Sequence, residues 1–390
     1  MNAIELLDII STGETSRVQF KEKISSIDAL AVEMVAMSNS LGGLILIGVK
    51  DKTGEITGLS YAELQDYNNQ TGNSATDKVK PNIYVTTEVV SIDNGGSKKI
   101  LIIQIKEGIN KPYKDNNLAI WVKQGADKRR VSDNAEMLRL FQSSGALSAD
   151  EMEIYGTSLE EVNKDKFEQY FKKEFQKTIE EKGLNFEQAL KIKKVLRNDR
   201  LSLAGLLFFG KEPQNYKPAF CIKAVSFWGN SIGGNEYRDS RDIIGTIPDM
   251  FNEGIRFLEI NLKHTQQDQN FNSIGILEIS RIALEELLQN TLLHRDYFKN
   301  SPIRLMIFDN RVEIISPGKL PNSLTVEEIK YGNPVIRNNQ LVAYAVHSLS
   351  YKGLGSGITR SLELQPNIEF INDVDGEQFI VKIPRPEEKN

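Results

Sequence analysis

Glu286, Asn290 and His294 stand four residues apart in the stretch Glu286-Leu287-Leu288-Gln289-Asn290-Thr291-Leu292-Leu293-His294. On an α-helix that spacing stacks the side chains along one stripe, so a single site can see all of them. A carboxylate orients or deprotonates a water, and an Asn carbonyl oxygen is a hard ligand for a magnesium ion already held by phosphates. Taken alone, the spacing more often marks a surface helix whose other side, Ile282, Leu287, Leu288 and Leu292, faces a core. A second motif sharpens the choice: Lys352-Gly353-Leu354-Gly355-Ser356-Gly357-Ile358 sets three alternate glycines ahead of a helical segment. Missing β-carbons let the backbone approach a ligand, and a helix N-terminus offers amide donors and positive partial charge to phosphate.

A different chemistry is available near the other end of the chain. Arg17, Lys21, Lys111, Lys123, Lys128, Arg129 and Arg130 are candidate phosphate contacts, and Tyr113 and Trp121 are candidate platforms for stacked bases. The competing reading is that these are solvated charges on a module of near-neutral balance. One apparent motif is a decoy. Gly205-Leu206-Leu207-Phe208-Phe209-Gly210-Lys211 has the spacing of a phosphate-binding loop, but Glu212 stands where a Ser or Thr must hold magnesium. Its apolar interior predicts a buried strand, Leu203 to Phe209, ending in a turn.

These residues need elements to position them. A small-apolar helical pattern over Leu30 to Ser38 ends at Gly42-Gly43 and leads into the apolar run Leu44 to Val49, which predicts helix, turn and buried strand. Further strands are expected at Ile83 to Ile92, Lys99 to Lys106 and Ala119 to Val122, with a turn at Asn94-Gly95-Gly96. A charged helical region follows over Leu159 to Arg200, then a strand over Pro218 to Trp228 and a helix over Ile244 to Asn261. The polar tract His264 to Asn272 reads as a loop or linker. Beyond it come a helix over Glu278 to Leu293, strands at Ile303 to Phe308 and Val312 to Ile315, a helix over Asn339 to Ser348, and a hairpin around Asp375-Gly376. The expected organisation is α+β, with an α+β domain over 1–142, a coupling region over 143–273 and an α/β sandwich over 274–390.

A length of 390 residues favours more than one core. Hydrophobic residues at 40% and charged residues at 26% exclude a disordered chain. With Cys221 the single cysteine and three histidines in all, neither an intramolecular disulfide nor a His/Cys zinc centre can assemble. The N-terminus MNAIELLDII carries no basic lead, and no segment reaches membrane-spanning length, so a cytoplasmic protein is expected. A net charge of -5 confines any nucleic-acid contact to a local patch.

The helix motif, Ser316-Pro317-Gly318-Lys319-Leu320-Pro321, Arg337-Asn338-Asn339 and the glycine run together resemble the GHKL-type ATPase module of bacterial Schlafen-related regulators. The resemblance implies ATP and Mg2+ as ligands, with Glu286 at the water-activating position and Asn290 as the magnesium ligand. His294, Gly318, Gly353, Gly355 and Gly357 would complete the nucleotide site. In place of the Asp that reads adenine in that family stands Ile315-Ser316-Pro317. Gly13 to Lys21, Asn39-Ser40-Leu41-Gly42-Gly43, Ile47 to Asp51, Lys111-Pro112-Tyr113 and Trp121 to Gly125 resemble the Schlafen AlbA-type domain, which implies DNA or RNA as partner. Of that family's nuclease carboxylates only Glu14 has a match, Gln19 and Lys50 standing at the other two positions, so binding rather than cleavage is implied. One Schlafen lobe where the family's core has two implies a homodimer. The expected function is a nucleotide-responsive, nucleic-acid-binding transcriptional regulator. The alternatives are a nucleic-acid-stimulated ATPase, as in phage defence or remodelling, and an interaction scaffold with a degenerate nucleotide pocket.

Overall fold

The computed structural model describes residues 1–92, 98–233, 236–265, 275–321, 324–332, 335–349, 351 and 356–386. The expected turn at Asn94-Gly95-Gly96, most of the polar tract from 266 onward, and Gly353 and Gly355 lie outside them. The chain divides into two compact units, Met1–Leu147 and Ser148–Asn390.

The first unit runs α1 (Ala3–Thr12), β1 (Val18–Lys21), α2 (Ile27–Asn39), β2 (Gly43–Ile47), α3 (Tyr61–Asp77), β3 (Val85–Ser91), β4 (Lys99–Ile105), β5 (Trp121–Gln124), β6 (Asp127–Arg130) and α4 (Asn134–Ser143). Its main sheet has the order β1-β2-β4-β3, parallel between β1 and β2 and antiparallel elsewhere. The period-two alternation of a strand sorts its side chains into two cores. Ile45, Ile47, Leu101, Ile103 and Ile105 face α2 and α3, whereas Leu46, Ile100 and Ile102 meet Leu6 and Ile10 of α1. Gly42, at φ +69°, turns the chain out of α2, and a β-carbon there would fall 2.6 Å from the Ile105 carbonyl oxygen. The β5–β6 hairpin packs against α2.

The second unit runs α5 (Lys164–Phe175), α6 (Phe186–Ile192), β7 (Leu196–Arg197), β8 (Arg200–Leu201), α7 (Leu203–Phe209), α8 (Pro213–Tyr216), β9 (Ile222–Phe227), β10 (Tyr237–Ile243), α9 (Ile247–Asn261), β11 (His264–Thr265), β12 (Ile276–Leu277), α10 (Arg281–His294), β13 (Ile303–Ile307), β14 (Arg311–Pro317), α11 (Val326–Lys330), α12 (Asn339–Ser348), α13 (Ser356–Leu364), β15 (Glu369–Asp373) and β16 (Gln378–Pro384). Its sheet has the order β10-β9-β13-β14-β16-β15, with β9 and β13 parallel and the remaining neighbours antiparallel. The mixed α+β class is therefore observed.

Two expectations change. The stretch Leu203–Phe209 is a helix, capped by the Ser202 side chain accepting from the Gly205 amide at 3.0 Å. All seven of its residues are buried, so no polar face exposes its period, and a short apolar run reads alike as strand or helix. The sheet also runs across the boundary expected at 273/274, because β9 and β10 precede it and β13 to β16 follow. One hydrophobic core extends from Ala149 to Ile383. Asp150 accepts from the Gln340 and Leu341 amides at 2.7 and 3.0 Å, which ties the early segment to the start of α12.

Candidate functional site

Helix α10 buries Ala283, Leu284, Leu287, Leu288, Leu292 and Leu293 and turns Glu286, Asn290 and His294 toward a cavity of about 490 Å³. Ile282, expected in the core, is 45% exposed and lines the same cavity. Gly318 and Lys319, following β14, form one wall, and Gly357 and Ile358 at the start of α13 form another. A β-carbon on Gly357 would lie 1.6 Å from Glu286 Oε1, so a larger residue there would displace the carboxylate from this position. Gly318 has φ +98°, and a β-carbon there would meet Asp296 Cβ at 2.4 Å and Arg337 Nη1 at 2.8 Å.

The polar groups on α10 form a chain. Asn290 Nδ2 donates to Glu286 Oε1 at 3.0 Å, and the Tyr351 hydroxyl donates to Asn290 Oδ1 at 3.2 Å. His294 Nε2 lies 3.1 Å from that hydroxyl oxygen. With the Tyr351 proton directed at Asn290, His294 supplies the proton of this last contact as a neutral ring. Burial pushes its imidazolium down to about 4, and Arg337 adds to the effect. The Tyr351 phenol is pushed up to about 12, by burial first and by Glu286 second. Gln289 Nε2 donates to the Leu349 carbonyl at 3.1 Å, so residues 349 and 351 are both held on α10.

Lys319, Arg337 and Arg360 line the cavity and make no ion pair among the described residues. Arg337 Nη2 donates to the Lys319 carbonyl at 2.7 Å, and burial lowers the guanidinium pKa against the opposing field of Asp296. The neighbouring Asn338 donates to the Leu293 and Arg295 carbonyls, both at 2.9 Å, and so caps the end of α10. The cavity thus unites Glu286, Asn290, His294, Gly318 and Gly357 from the sequence reading. That reading assigned no role to Tyr351, although it directly precedes the glycine run. No group of three or more His, Cys, Asp or Glu that could hold a metal ion occurs among the described residues.

In the first unit the basic residues divide. Lys123, its side chain 1% exposed, donates to Gln19 Oε1 and Glu33 Oε1 at 2.8 Å and to the Ala126 carbonyl at 2.6 Å. Lys111, 4% exposed, pairs with Glu107 at 2.6 Å and donates to the Ser40 carbonyl at 3.1 Å. Both ammonium groups are consumed inside the fold, which corrects their placement on a phosphate-binding surface. Tyr113 is likewise buried, and Asn39 holds its backbone from both sides, accepting from its amide at 2.7 Å and donating to its carbonyl at 2.8 Å. Lys128 pairs with Glu33 at 2.7 Å and Arg129 with Glu136 at 2.5 Å, yet each keeps about a third or more of its side chain in solvent. Arg17 and Arg130 are exposed and Lys21 is half-buried, and none of the three makes an ion pair among the described residues. Burial opposes ionisation of Glu33, but the hydrogen bonds from Lys123 and Lys128 prevail and hold its carboxyl below the usual range. Lys50 pairs with Glu55 at 2.7 Å.

Fold and geometry define an α+β protein that joins a module bearing exposed cations to a unit built around a largely apolar cavity into which one helix face directs its polar groups. Residues 14–132 match the family described as Schlafen, AlbA_2, and residues 300–372 match Putative ATP-dependent DNA helicase recG C-terminal, of the HATPase_c_4 type. The chain therefore carries an N-terminal Schlafen AlbA_2 domain and a C-terminal HATPase_c_4 domain. The latter match includes Gly318 and Arg337 and begins after α10. Residues 138–223 match a domain of unknown function, DUF8451. No curated protein matches the chain. Among solved structures, the DIP2311 protein from Corynebacterium diphtheriae is similar at 19% identity, covering 98% of this chain and 80% of its own, with a TM-score of 0.47. Among the described residues no helix is long and apolar enough to cross a membrane.

Proposed function

We propose that this protein binds nucleic acid through its first unit and a nucleotide, ATP with Mg2+, through its second, and that it acts as a homodimeric regulator of transcription. The observation that carries the nucleotide half is the convergence of the α10 carboxylate and amide, the Gly318 turn and the start of α13 on one cavity. The donor set suits such a ligand. Lys319, Arg337 and Arg360 complement phosphate charge, and Asn290 Oδ1 has a second lone pair beyond the one that accepts from Tyr351. With one amide oxygen and no carboxylate cluster among the described residues, magnesium would be held jointly with phosphates and water, as is usual for this ion. Bound there, the ion would neutralise phosphate charge. Glu286 is placed to orient a water. The nucleic-acid half draws on the AlbA_2 match together with Arg17, Lys21 and Arg130, supported by Lys128 and Arg129.

Calorimetry with ATP and magnesium tests the assignment. Asn290→Ala should lose at least about tenfold in magnesium-dependent affinity, since it removes an oxygen ligand, while Glu286→Ala retains binding and loses any turnover. Equal affinity in Asn290→Ala and the parent would sink the site. Hydrolysis accelerated by DNA or RNA would favour the ATPase reading over a passive switch.

A further inference from the structure

Strand β10 closes one side of the six-stranded sheet, and among the described residues no strand pairs with its outer edge. Five of its seven residues are exposed, Asp239 is half-buried and Ile243 buried. An open edge of this length is a template for another strand. Its order, Tyr237-Arg238-Asp239-Ser240-Arg241-Asp242-Ile243, is self-complementary about Ser240. In an antiparallel pairing with a second copy, with the two-fold axis at Ser240, Asp239 stands opposite the partner's Arg241. Arg238 stands opposite the partner's Asp242, Tyr237 stands opposite the partner's Ile243, and symmetry repeats each pair.

We propose that β10 is the surface through which two copies of this chain join, sharing one continuous sheet. The charge complementarity rests on Asp239 and Arg241, because on the other face Asp242 already pairs with Lys223 and Arg238 with Asp309. Asp242 and Ser240 lie in register with Lys223 and Val225 of β9, on the face opposite α9. Asp239 and Arg241 lie on the α9 face, where the Arg241 guanidinium is 5.9 Å from the Phe257 ring and Asn261 donates to Asp239 at 3.2 Å. Charges on an edge ordinarily repel foreign strands. Here they admit a strand of the same order and penalise others, and opposite charges directly across a strand pair stabilise it. The existing Arg241–Asp239 contact at 3.2 Å is a half-exposed surface pair, which contributes little and exchanges at little cost.

The ladder between β9 and β10 is irregular between Tyr237 and Asp239, so Asp239, Ser240 and Arg241 are the diagnostic centre. Large apolar side chains flank it: Trp228, Tyr237 and Ile244 are 58%, 59% and 58% exposed. Exposed aromatic groups beside a polar edge suit a two-fold contact. A strand pair of this size falls short of a permanent interface, so association should be concentration-dependent in the micromolar range. The proposal is independent of the nucleotide cavity.

Sedimentation equilibrium of the full chain over micromolar concentrations is the test, with circular dichroism melts to confirm folding. The parent should self-associate. Arg241→Asp puts like charges face to face twice and should raise the dimer dissociation constant by about tenfold or more. Asp239→Arg/Arg241→Asp restores the order and should recover the parent's dimer. An equimolar mixture of the Arg241→Asp and Asp239→Arg single variants should form a heterodimer although each alone stays monomeric. A parent that remains monomeric, an Arg241→Asp variant that dimerises like the parent, or a folded double variant or mixture that stays monomeric would overturn the interface.

Discussion

At the scale of the residue, the second unit turns on what meets Asn290 Oδ1. The Tyr351 hydroxyl donates to it at 3.2 Å and receives His294 in turn at 3.1 Å. Tyr351 therefore covers part of the oxygen that a cation would approach. Tyr351→Phe removes both hydrogen bonds of that hydroxyl without changing the ring's packing, and the one that must be broken to free Asn290 Oδ1 is worth about 1 kcal/mol. Magnesium-dependent ATP affinity, read by calorimetry, should rise by about fivefold. A loss of affinity instead would mean that Tyr351 orients the amide for its ligand. Helical spacing alone placed Glu286, Asn290 and His294 on one stripe. Tyr351 was not legible, because its approach closes a loop of about sixty residues that leaves no local periodicity.

At the scale of the element, the β5–β6 hairpin is fastened to α2 by ions rather than by apolar area alone. Glu33 on α2 and Lys123 on β5 each have 1% of the side chain exposed, and Lys128 of β6 reaches the second carboxylate oxygen. Removing one partner of a buried pair leaves the other charge poorly compensated, a cost of about 3 kcal/mol or more. Lys123→Met should lower the urea midpoint of the first unit accordingly, and a midpoint equal to the parent's would show that the pair contributes nothing net. Glu33 adds a pH dependence of known sign. Its folded carboxyl lies below its unfolded value, so its contribution is present above the unfolded pKa and is lost as pH falls through the folded one. The basic composition of this hairpin was plain in the sequence. Which lysines point inward was not, because the carboxylate that captures them lies about ninety residues earlier.

At the scale of the whole molecule, the chain forms two compact units, the second of which spans residues that the sequence reading divided at 273. A fragment over 148–390 retains all six strands of its sheet and Asp150 at the start of α12. One over 274–390 lacks β9 and β10 and the helices α7 and α9, and exposes Ile303, Leu305 and Ile307, whose neighbour in the sheet is β9. The longer fragment should show cooperative thermal unfolding by circular dichroism, and the shorter should not. Cooperative melting of the shorter fragment would restore a boundary at 273.

The sequence by itself determined what repeats locally. The apolar run Leu44 to Val49 and the stretch Lys99 to Lys106 marked strands, the four-residue spacing on α10 set a polar stripe, and Asp375-Gly376 marked the last hairpin. Only the tertiary structure decided that Leu203–Phe209 is helical, since a segment buried on every side hides its period. It likewise decided that Lys111 and Lys123 are internal and that β9 lies beside β13. The reason is common to all three. Burial and partnership depend on which distant segment arrives, and that depends on the balance of packing over the whole core rather than on the spacing of neighbours along the chain.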